Sequence, residues 1–183
     1  QLEEILRYTF ELSDSISAVD TDSRDEKRLL YSCVVAMTQK IYCAIEQYMR
    51  DTMDDSAHDC EHVYRVLYNA LEIAKTEDVD YDILISACLL HDIGRPDQVK
   101  DPTLCHAQVG SEKAYSFLLQ LGMPEAFAQA VRHCILTHRF RKNLPPQTIE
   151  AKILFDADKL DVTGAIGIAR TLMYRGTLTE PLY

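Results

Sequence analysis

The feature that most constrains this chain is an apolar run, residues 83–90, that ends directly in the pair His91-Asp92. The run contains a single serine, which favours a helix that is buried on all sides. Gly94 and Pro96 predict that this helix ends immediately after the pair. A histidine and an aspartate therefore lie where the chain leaves its core. A buried charge needs a partner, so other segments of the chain have to supply one.

The remaining segments repeat their apolar residues with the period of an α-helix, and no alternating run or hairpin turn competes. Only six glycines and six prolines occur in 183 residues, too few for a turn-rich β architecture. We therefore predict an all-α fold. Residues 1–55 are expected to form N-terminal helices that cover the core or mediate self-association as a homodimer. Residues 56–183 are expected to form the functional core, with both parts in one compact unit.

Several positions predict how the helices begin, end and pack. Ser56, Asp80 and Thr148 each precede a helical pattern and can cap it by accepting from free backbone amides. A loop is expected over residues 95–102. The small residues over 164–169 would let two helices approach closely.

The composition limits the kinds of partner that the chain can bind. A net charge of −10 disfavours polymeric nucleic acid and anionic membranes, because an acidic surface repels phosphate. A local basic patch can still hold a small phosphate ligand. The six cysteines fall mostly in helix-periodic segments, which predicts free thiols in a reducing compartment. No apolar run approaches the roughly 20 residues that span a bilayer and no signal-peptide pattern opens the chain, so we expect a cytoplasmic protein.

The histidines are concentrated in the core segments, between residues 58 and 138. Three of them, His62, His91 and His138, fall on the apolar stripes of their predicted helices. One such histidine is usually a satisfied core residue. Three of them together with Asp92 form the set of imidazole and carboxylate groups that a divalent metal ion requires. We therefore predict a metal site.

Periodicity also selects among the aspartates near the end of the chain. Asp158 continues an apolar stripe and is predicted to be an inward-facing metal ligand. Asp156 shares its side of the helix with Lys152 and Lys159, which indicates an acid that is solvated or that supports a ligand from outside. Asp161 lies almost on the same face as Asp158, and we predict that it binds an imidazole N–H or a substrate group.

These residues resemble the H…HD…D pattern of the HD superfamily of metal-dependent phosphohydrolases, matched here at His62, at His91-Asp92 and at Asp158. The resemblance covers residues 56–175. Its most specific part surrounds Asp158, where the chain is similar to the small bacterial HD hydrolases that include nucleotide pyrophosphatases. The resemblance implies a helical HD-domain bundle in which these four residues bind one metal ion. It also implies that His91 and Asp92 are the catalytic pair.

Two further histidines, His106 and His138, resemble the extra ligands of the two-metal HD proteins. Those proteins include the HD-type diadenosine tetraphosphate hydrolases, the cyclic-di-GMP phosphodiesterases and myo-inositol oxygenase. The resemblance implies that Asp92 bridges two ions and that both histidines complete the second site. His133 is the alternative ligand if the motif is shifted, and is otherwise a surface or hydrogen-bonding residue. His58 is expected to contact a metal ligand rather than to bind the metal ion itself.

The predicted site fits hydrolysis of a phosphate compound. A metal ion with three or four protein ligands leaves positions for water and a phosphate oxygen, and it activates the water for attack on phosphorus. A mixed nitrogen and oxygen site suits Mn, Fe, Zn, Mg or Ni, as one or two ions. Basic residues that follow the motifs are predicted to bind the substrate phosphate: Arg95, Arg139, Arg141, Lys142 and Lys159.

Hydrolysis of a small phosphoester or phosphoanhydride, most simply a nucleotide, is therefore the leading functional prediction. A di-iron oxygenase of the myo-inositol oxygenase type uses the same ligand order and is the alternative enzyme class. A third alternative is a non-catalytic, metal-stabilised module that binds a nucleotide or a partner. A cyclic-dinucleotide phosphodiesterase is disfavoured because no Gly-Tyr-Pro tripeptide follows His138.

Overall fold

The computed structural model of the protein describes residues 39–53, 60–139 and 144–178. All regular structure in these ranges is helical, which confirms the all-α prediction. The helices in chain order are α1 (residues 39–52), α2 (Cys60–Ala74), α3 (Tyr81–Leu90), α4 (Arg95–Lys100), α5 (His106–Gln120), α6 (Glu125–Thr137), α7 (Ile149–Leu160) and α8 (Gly164–Leu178). The predictions for the first 38 residues, Ser56, His58, Arg141 and Lys142 fall outside the described residues.

The chain divides between Lys40 and Ile41 into two units, and every residue discussed below belongs to the second. Within the described part of the chain, no helix is both long and apolar enough to cross a membrane. The cysteines described are free thiols: Cys43, Cys60, Cys88, Cys105 and Cys134.

Helix α3 lies at the centre of this unit. Every residue from Leu84 to Leu90 is buried, as the continuous apolar run predicts, and the helix packs against α2, α6 and α7. Fully burying one leucine or isoleucine side chain contributes about 1.5–3 kcal/mol, so this run anchors the core. Helix α1 covers another part of the core with the fully buried side chains of Ile45 and Met49.

Two of the predicted caps are present. Asp80 accepts hydrogen bonds from the backbone nitrogens of Asp82, at 3.0 Å, and Ile83, at 3.1 Å. The hydroxyl of Thr148 accepts from the nitrogen of Ala151 at 3.3 Å. Each cap satisfies amides that the first turn of a helix leaves without a partner. These caps begin α3 and α7, the helices that lead into His91-Asp92 and Asp158.

The segment predicted to be a loop after His91-Asp92 contains the short helix α4. Pro96 lies in its first turn, where its fixed φ suits a helix and its missing N–H costs nothing. Pro96 therefore favours the start of a new helix after the turn that follows α3. The pairing of Asp97 with Lys113 then ties α4 to α5.

The backbones of Gly94 and α5 touch. A Cβ added to Gly94 would lie 2.2 Å from the carbonyl oxygen of His106, and one added to Gly110 would lie 3.1 Å from the nitrogen of Gly94. Only glycine permits an approach this close at Gly94. The contact places the start of α5, and with it His106, beside the turn that carries Asp92.

Candidate metal centre

The structure gathers its buried histidines around Asp92, from four different parts of the chain. His62 lies in the first turn of α2, His91 and Asp92 follow α3, His106 begins α5, and His138 follows α6. All five are buried, with no more than 5% of any residue exposed. Polar side chains are rarely buried to this extent unless a partner compensates for lost hydration.

The first ligand group is formed by His62, His91, Asp158 and the Oδ2 oxygen of Asp92. The Nε2 atom of His62 lies 3.6 Å from Asp92 Oδ2, 3.5 Å from Asp158 Oδ1 and 3.4 Å from His91 Nε2. Donor atoms that share an ion at 2.0–2.2 Å are separated by about 3 to 3.5 Å. The donor atoms of His62, His91 and Asp92 thus lie at a spacing that suits ligands of one ion, and Asp158 approaches the same nitrogen of His62.

The second ligand group is formed by His106, His138 and the other oxygen of Asp92, Oδ1. His106 Nε2 lies 3.4 Å and His138 Nε2 lies 3.8 Å from this oxygen. The three donor atoms lie within 4.8 Å of one another, as do those of His62, His91 and Asp92. Asp92 therefore presents one carboxylate oxygen to each ligand group.

Two buried atoms in these groups have no hydrogen-bond partner. They are Asp92 Oδ2 and His106 Nε2, one from each group. Leaving a buried polar atom without a partner costs about 1–3 kcal/mol. A divalent cation that binds both atoms would remove that cost. The nitrogen and oxygen donors present are those that Mn, Fe, Zn and similar ions accept, so the residues fit such an ion.

Contacts on the outer side of the rings orient the imidazoles. The Nδ1 atom of His91 donates to the carbonyl of Cys88 at 2.7 Å, and that of His138 donates to the carbonyl of Ile135 at 2.6 Å. With the proton on Nδ1, the lone pair of Nε2 faces the centre. This arrangement is typical of metal-binding histidines.

His62 is held by a carboxylate rather than a carbonyl. Its Nδ1 donates to Asp161 Oδ2 at 2.7 Å. Arg65 binds Asp161 through its Nε at 2.6 Å and its Nη2 at 3.2 Å, and Arg170 also pairs with this carboxylate. Asp161 therefore links the first ligand group to two arginines.

The charges keep the second group and Asp92 in the protonation states that metal binding requires. Burial raises the pKa of Asp92, but the imidazole of His91 and the guanidinium of Arg95 beside it hold that pKa well below its usual range. Burial lowers the pKa of His106 to about 2, with help from Arg95. Burial beside His91 lowers the pKa of His138 to about 4. At neutral pH Asp92 is therefore an anion and both imidazoles are neutral.

His62 differs from these histidines. Burial lowers the pKa of His62, but its hydrogen bonds with Asp158 and Asp161 outweigh this and leave the pKa above its ordinary value. Burial acts in the opposite direction on Asp161, where the bonds from His62 and Arg65 lower the pKa to about 2. The carboxylates thus make His62 the most basic histidine of the centre.

The sequence and the fold now point to the same family. The family model of the HD domain matches residues 60–163, a range that contains every ligand named above. The chain belongs to the HD domain family. The resemblance drawn from the H…HD…D pattern is thereby confirmed.

Relatives of this HD domain are found among bacterial proteins. The protein YpgQ of Bacillus subtilis (strain 168) is 36% identical over 136 residues, which cover 72% of this chain and 64% of YpgQ. The chain thus spans less than two thirds of the length of that relative.

Solved structures resemble the chain as well. A predicted HD superfamily hydrolase from an uncultured Thermotogales bacterium is 40% identical with a TM-score of 0.61, over 73% of this chain and 75% of that one. YpgQ in complex with ADP is 30% identical with a TM-score of 0.62, over 80% of this chain and 71% of that one.

The predicted phosphate-binding residues that the structure describes lie at the edge of this HD centre. Arg95 Nε donates to Asp92 Oδ1 at 3.0 Å, and Lys159 Nζ donates to Asp158 Oδ2 at 2.5 Å. The Nη1 atom of Arg139 lies 3.1 Å from His106 Nδ1. Each cation is therefore in direct contact with a predicted ligand.

Two predicted residues lie apart from the ligand groups. His133 accepts from the backbone nitrogen of Gln147 at 3.2 Å. Asp156 is exposed to solvent.

Two residues that contact the ligands were missed by the sequence reasoning. Gln98 accepts from His106 Nδ1 at 2.6 Å, and Arg170 contacts both Asp161 and His62 Nδ1, the latter at 2.9 Å. Gln98 lies in the segment that was predicted to be a loop. Arg170 comes from another helix, and no local pattern indicates it.

Proposed function

We propose that this HD domain is a metal-dependent hydrolase of a phosphoester or phosphoanhydride, with a nucleotide as its substrate. The observation that carries the proposal is the buried Asp92, whose two oxygens face two groups of imidazoles. Membership of a hydrolase superfamily supports the reaction class. The complex of YpgQ with ADP supports a nucleotide as the ligand.

The proposed ligands of the first ion are His62, His91, Asp158 and Asp92. Those of a second ion are His106 and His138, with Asp92 as the shared ligand. When bound, a divalent ion at such a site stabilises negative charge on the phosphoryl group and lowers the pKa of coordinated water towards neutrality.

The side chains of the HD domain prepare the centre for that chemistry. Their burial keeps bulk water away from the donor atoms, which strengthens every electrostatic interaction among them. The Nδ1 contacts hold the rings in place, so little reorganisation is needed when a substrate arrives. Asp161 has this positioning role for His62.

Cations at the rim are proposed to bind the substrate phosphate. The side chain of Arg95 is 26% exposed and that of Lys159 is 48% exposed, so both reach solvent while they contact Asp92 and Asp158. A guanidinium has five N–H donors, and the bond from Nε to Asp92 leaves the other donors of Arg95 for a phosphate. Arg139 is the third such residue among those described.

A nucleotide panel tests the proposal. The protein is loaded with Mn²⁺, Fe²⁺, Zn²⁺, Mg²⁺ or Ni²⁺, and the release of phosphate, pyrophosphate and nucleoside monophosphate is measured. We expect turnover with at least one metal and its loss in Asp92→Ala with the far-UV circular dichroism unchanged. Asp78→Asn, which alters an exposed aspartate, is the matched control and should retain turnover.

The same panel separates the alternatives. Full activity in Asp92→Ala would contradict the proposal. Iron-dependent oxygen consumption without release of phosphate would favour the oxygenase. Nucleotide-induced stabilisation without turnover for any metal would favour a binding module.

A further inference from the structure

The two oxygens of the Asp92 carboxylate have different surroundings. Oδ2, which faces the first ligand group, is buried and has no hydrogen-bond partner. Oδ1, which faces the second ligand group, accepts from Arg95 Nε at 3.0 Å. An ion in the first group therefore meets a ready ligand, whereas an ion in the second group has to share its oxygen with a guanidinium.

The fixed charges near the two groups differ in the same sense. The first group contains a second carboxylate, Asp158, which Lys159 pairs with, and a third, Asp161, lies directly behind His62. Arg65 and Arg170 pair with Asp161, so each cation beside the first group has a carboxylate partner there. In the second group Asp92 is the one carboxylate among the three ligands. Arg139 approaches the outer nitrogen of His106 to within 3.1 Å. A cation in the second group is thus close to two arginines and has only the shared carboxylate to offset its charge.

We propose that Arg95 sets the order in which divalent ions bind to this chain. The first ligand group binds one ion tightly, and the second group binds another only weakly, because Arg95 holds Asp92 Oδ1 and adds positive charge beside it. Arg95 thereby acts as a positioning residue that governs how many ions the centre holds. The inference rests on the metal centre of the proposed function and adds the unequal affinity of its two parts.

Binding of Mn²⁺ to metal-free protein tests the inference. Isothermal titration and the electron paramagnetic resonance signal of free Mn²⁺ give the stoichiometry and both dissociation constants. For the wild type we expect two ions per chain, the second bound about 100-fold more weakly than the first. In Arg95→Gln, which removes the charge, we expect the second ion to bind about tenfold more tightly and the first to change little.

Matched variants assign the effect to Arg95. Arg95→Lys keeps the positive charge and should retain the weak second site. Arg132→Gln removes an arginine that pairs with the exposed Glu112 and should leave both constants unchanged. His106→Asn removes a ligand of the second group and should abolish the weak site while the tight one remains.

Three results would overturn the inference. The first is a dissociation constant for the second ion that is the same in Arg95→Gln and the wild type. The second is a single bound ion in both proteins, and the third is two bound ions in His106→Asn. Each is read on variants whose far-UV circular dichroism matches the wild type. Failure of the proposed function is a separate result, because a chain that shows the expected Mn²⁺ binding but no turnover of nucleotides retains the inference and loses the hydrolase activity.

Discussion

The first and second ligand groups meet at Asp92, yet the chain supports them in different ways. In the first group, His62 donates a hydrogen bond to the carboxylate of Asp161, which pairs with Arg65 and Arg170. In the second group, His106 donates a hydrogen bond to the neutral amide of Gln98. The pKa of His62 is raised and that of His106 is lowered to about 2.

The difference shows that charge behind the imidazoles distinguishes the two groups. A carboxylate that accepts the outer proton of an imidazole raises its basicity and its strength as a ligand, whereas an amide does so less. The distances from Asp92 to His62 and to His106, 3.6 and 3.4 Å, are nearly equal. These two distances alone would therefore predict equal sites, whereas the contact of Arg95 with Asp92 Oδ1 and the charges around each group predict unequal ones.

Removing one imidazole from each group in turn should produce the largest difference in Mn²⁺ affinity between the two groups. We expect His62→Asn to lose the tight Mn²⁺ site, by more than the roughly 10- to 100-fold typical of partners that support a ligand from outside. His106→Asn should keep that site. Mn²⁺ titration of both metal-free variants is the measurement. Equal loss of the tight site in the two variants would break the comparison.

The next largest effect on Mn²⁺ affinity should come from Asp161, the carboxylate behind His62. Asp161→Asn keeps the size of the side chain but removes the charge, so Mn²⁺ affinity of the first group and turnover should both fall by roughly 10- to 100-fold. A matched change is Asp97→Asn, since Asp97 also pairs with a cation, Lys113, but touches no ligand. Unchanged Mn²⁺ affinity in Asp161→Asn would show that Asp161 is needed only for the fold.

In the metal-free protein, a fall in pH should change the contributions of His106 and His62 to the free energy of unfolding in opposite directions. In the unfolded chain His106 is protonated below about pH 6.5. In the folded chain it stays neutral down to about pH 2. Stability is therefore lost as the pH falls from 6.5, by about 2 kcal/mol for this residue at pH 5. His62 has a raised pKa, so its contribution is present at low pH and is lost as the pH rises through that pKa.

Urea unfolding in the presence of a chelator measures both contributions. Between pH 6.5 and 5, His106→Asn should lose less stability than the wild type, and His62→Asn should lose more. A change of the same sign in the two variants would contradict the assignment of opposite pKa shifts. His133→Asn, at a histidine outside both groups, is the control.

Much of this fold could be predicted because its signals are local. The apolar run before His91 fixes a buried helix, and the caps at Asp80 and Thr148 act within three residues. The position of Asp161 follows from helical spacing, three residues beyond Asp158. Such features depend on neighbours in sequence, where the period of the helix determines which side chains share a face.

The parts that could not be predicted depend on contacts between distant segments. Gly94 was interpreted as a helix terminator, yet the structure shows that it also lets α5 approach the turn, so that His106 reaches Asp92. Gly167 lies in a segment predicted to allow close helix approach, and a Cβ there would lie 2.2 Å from the backbone of Val162. No periodic pattern specifies which backbone a glycine will meet.

The neutral partner of His106 gives the smallest and sharpest prediction. Gln98→Ala removes a hydrogen bond whose net contribution is about 1 kcal/mol, which corresponds to roughly a fivefold loss of Mn²⁺ affinity at the second group. The Nδ1 atom of His106 is then left beside Arg139, which can only donate. That contact favours the proton on Nε2, the nitrogen that faces Asp92, and so opposes metal binding.

Gln98→Glu supplies a carboxylate instead and should strengthen the weak site, since it gives the second group the kind of support that Asp161 gives the first. Titration of both variants with Mn²⁺ decides the point: if Gln98→Glu binds the second ion no more tightly than Gln98→Ala, charge behind the ligand does not explain the difference between the groups.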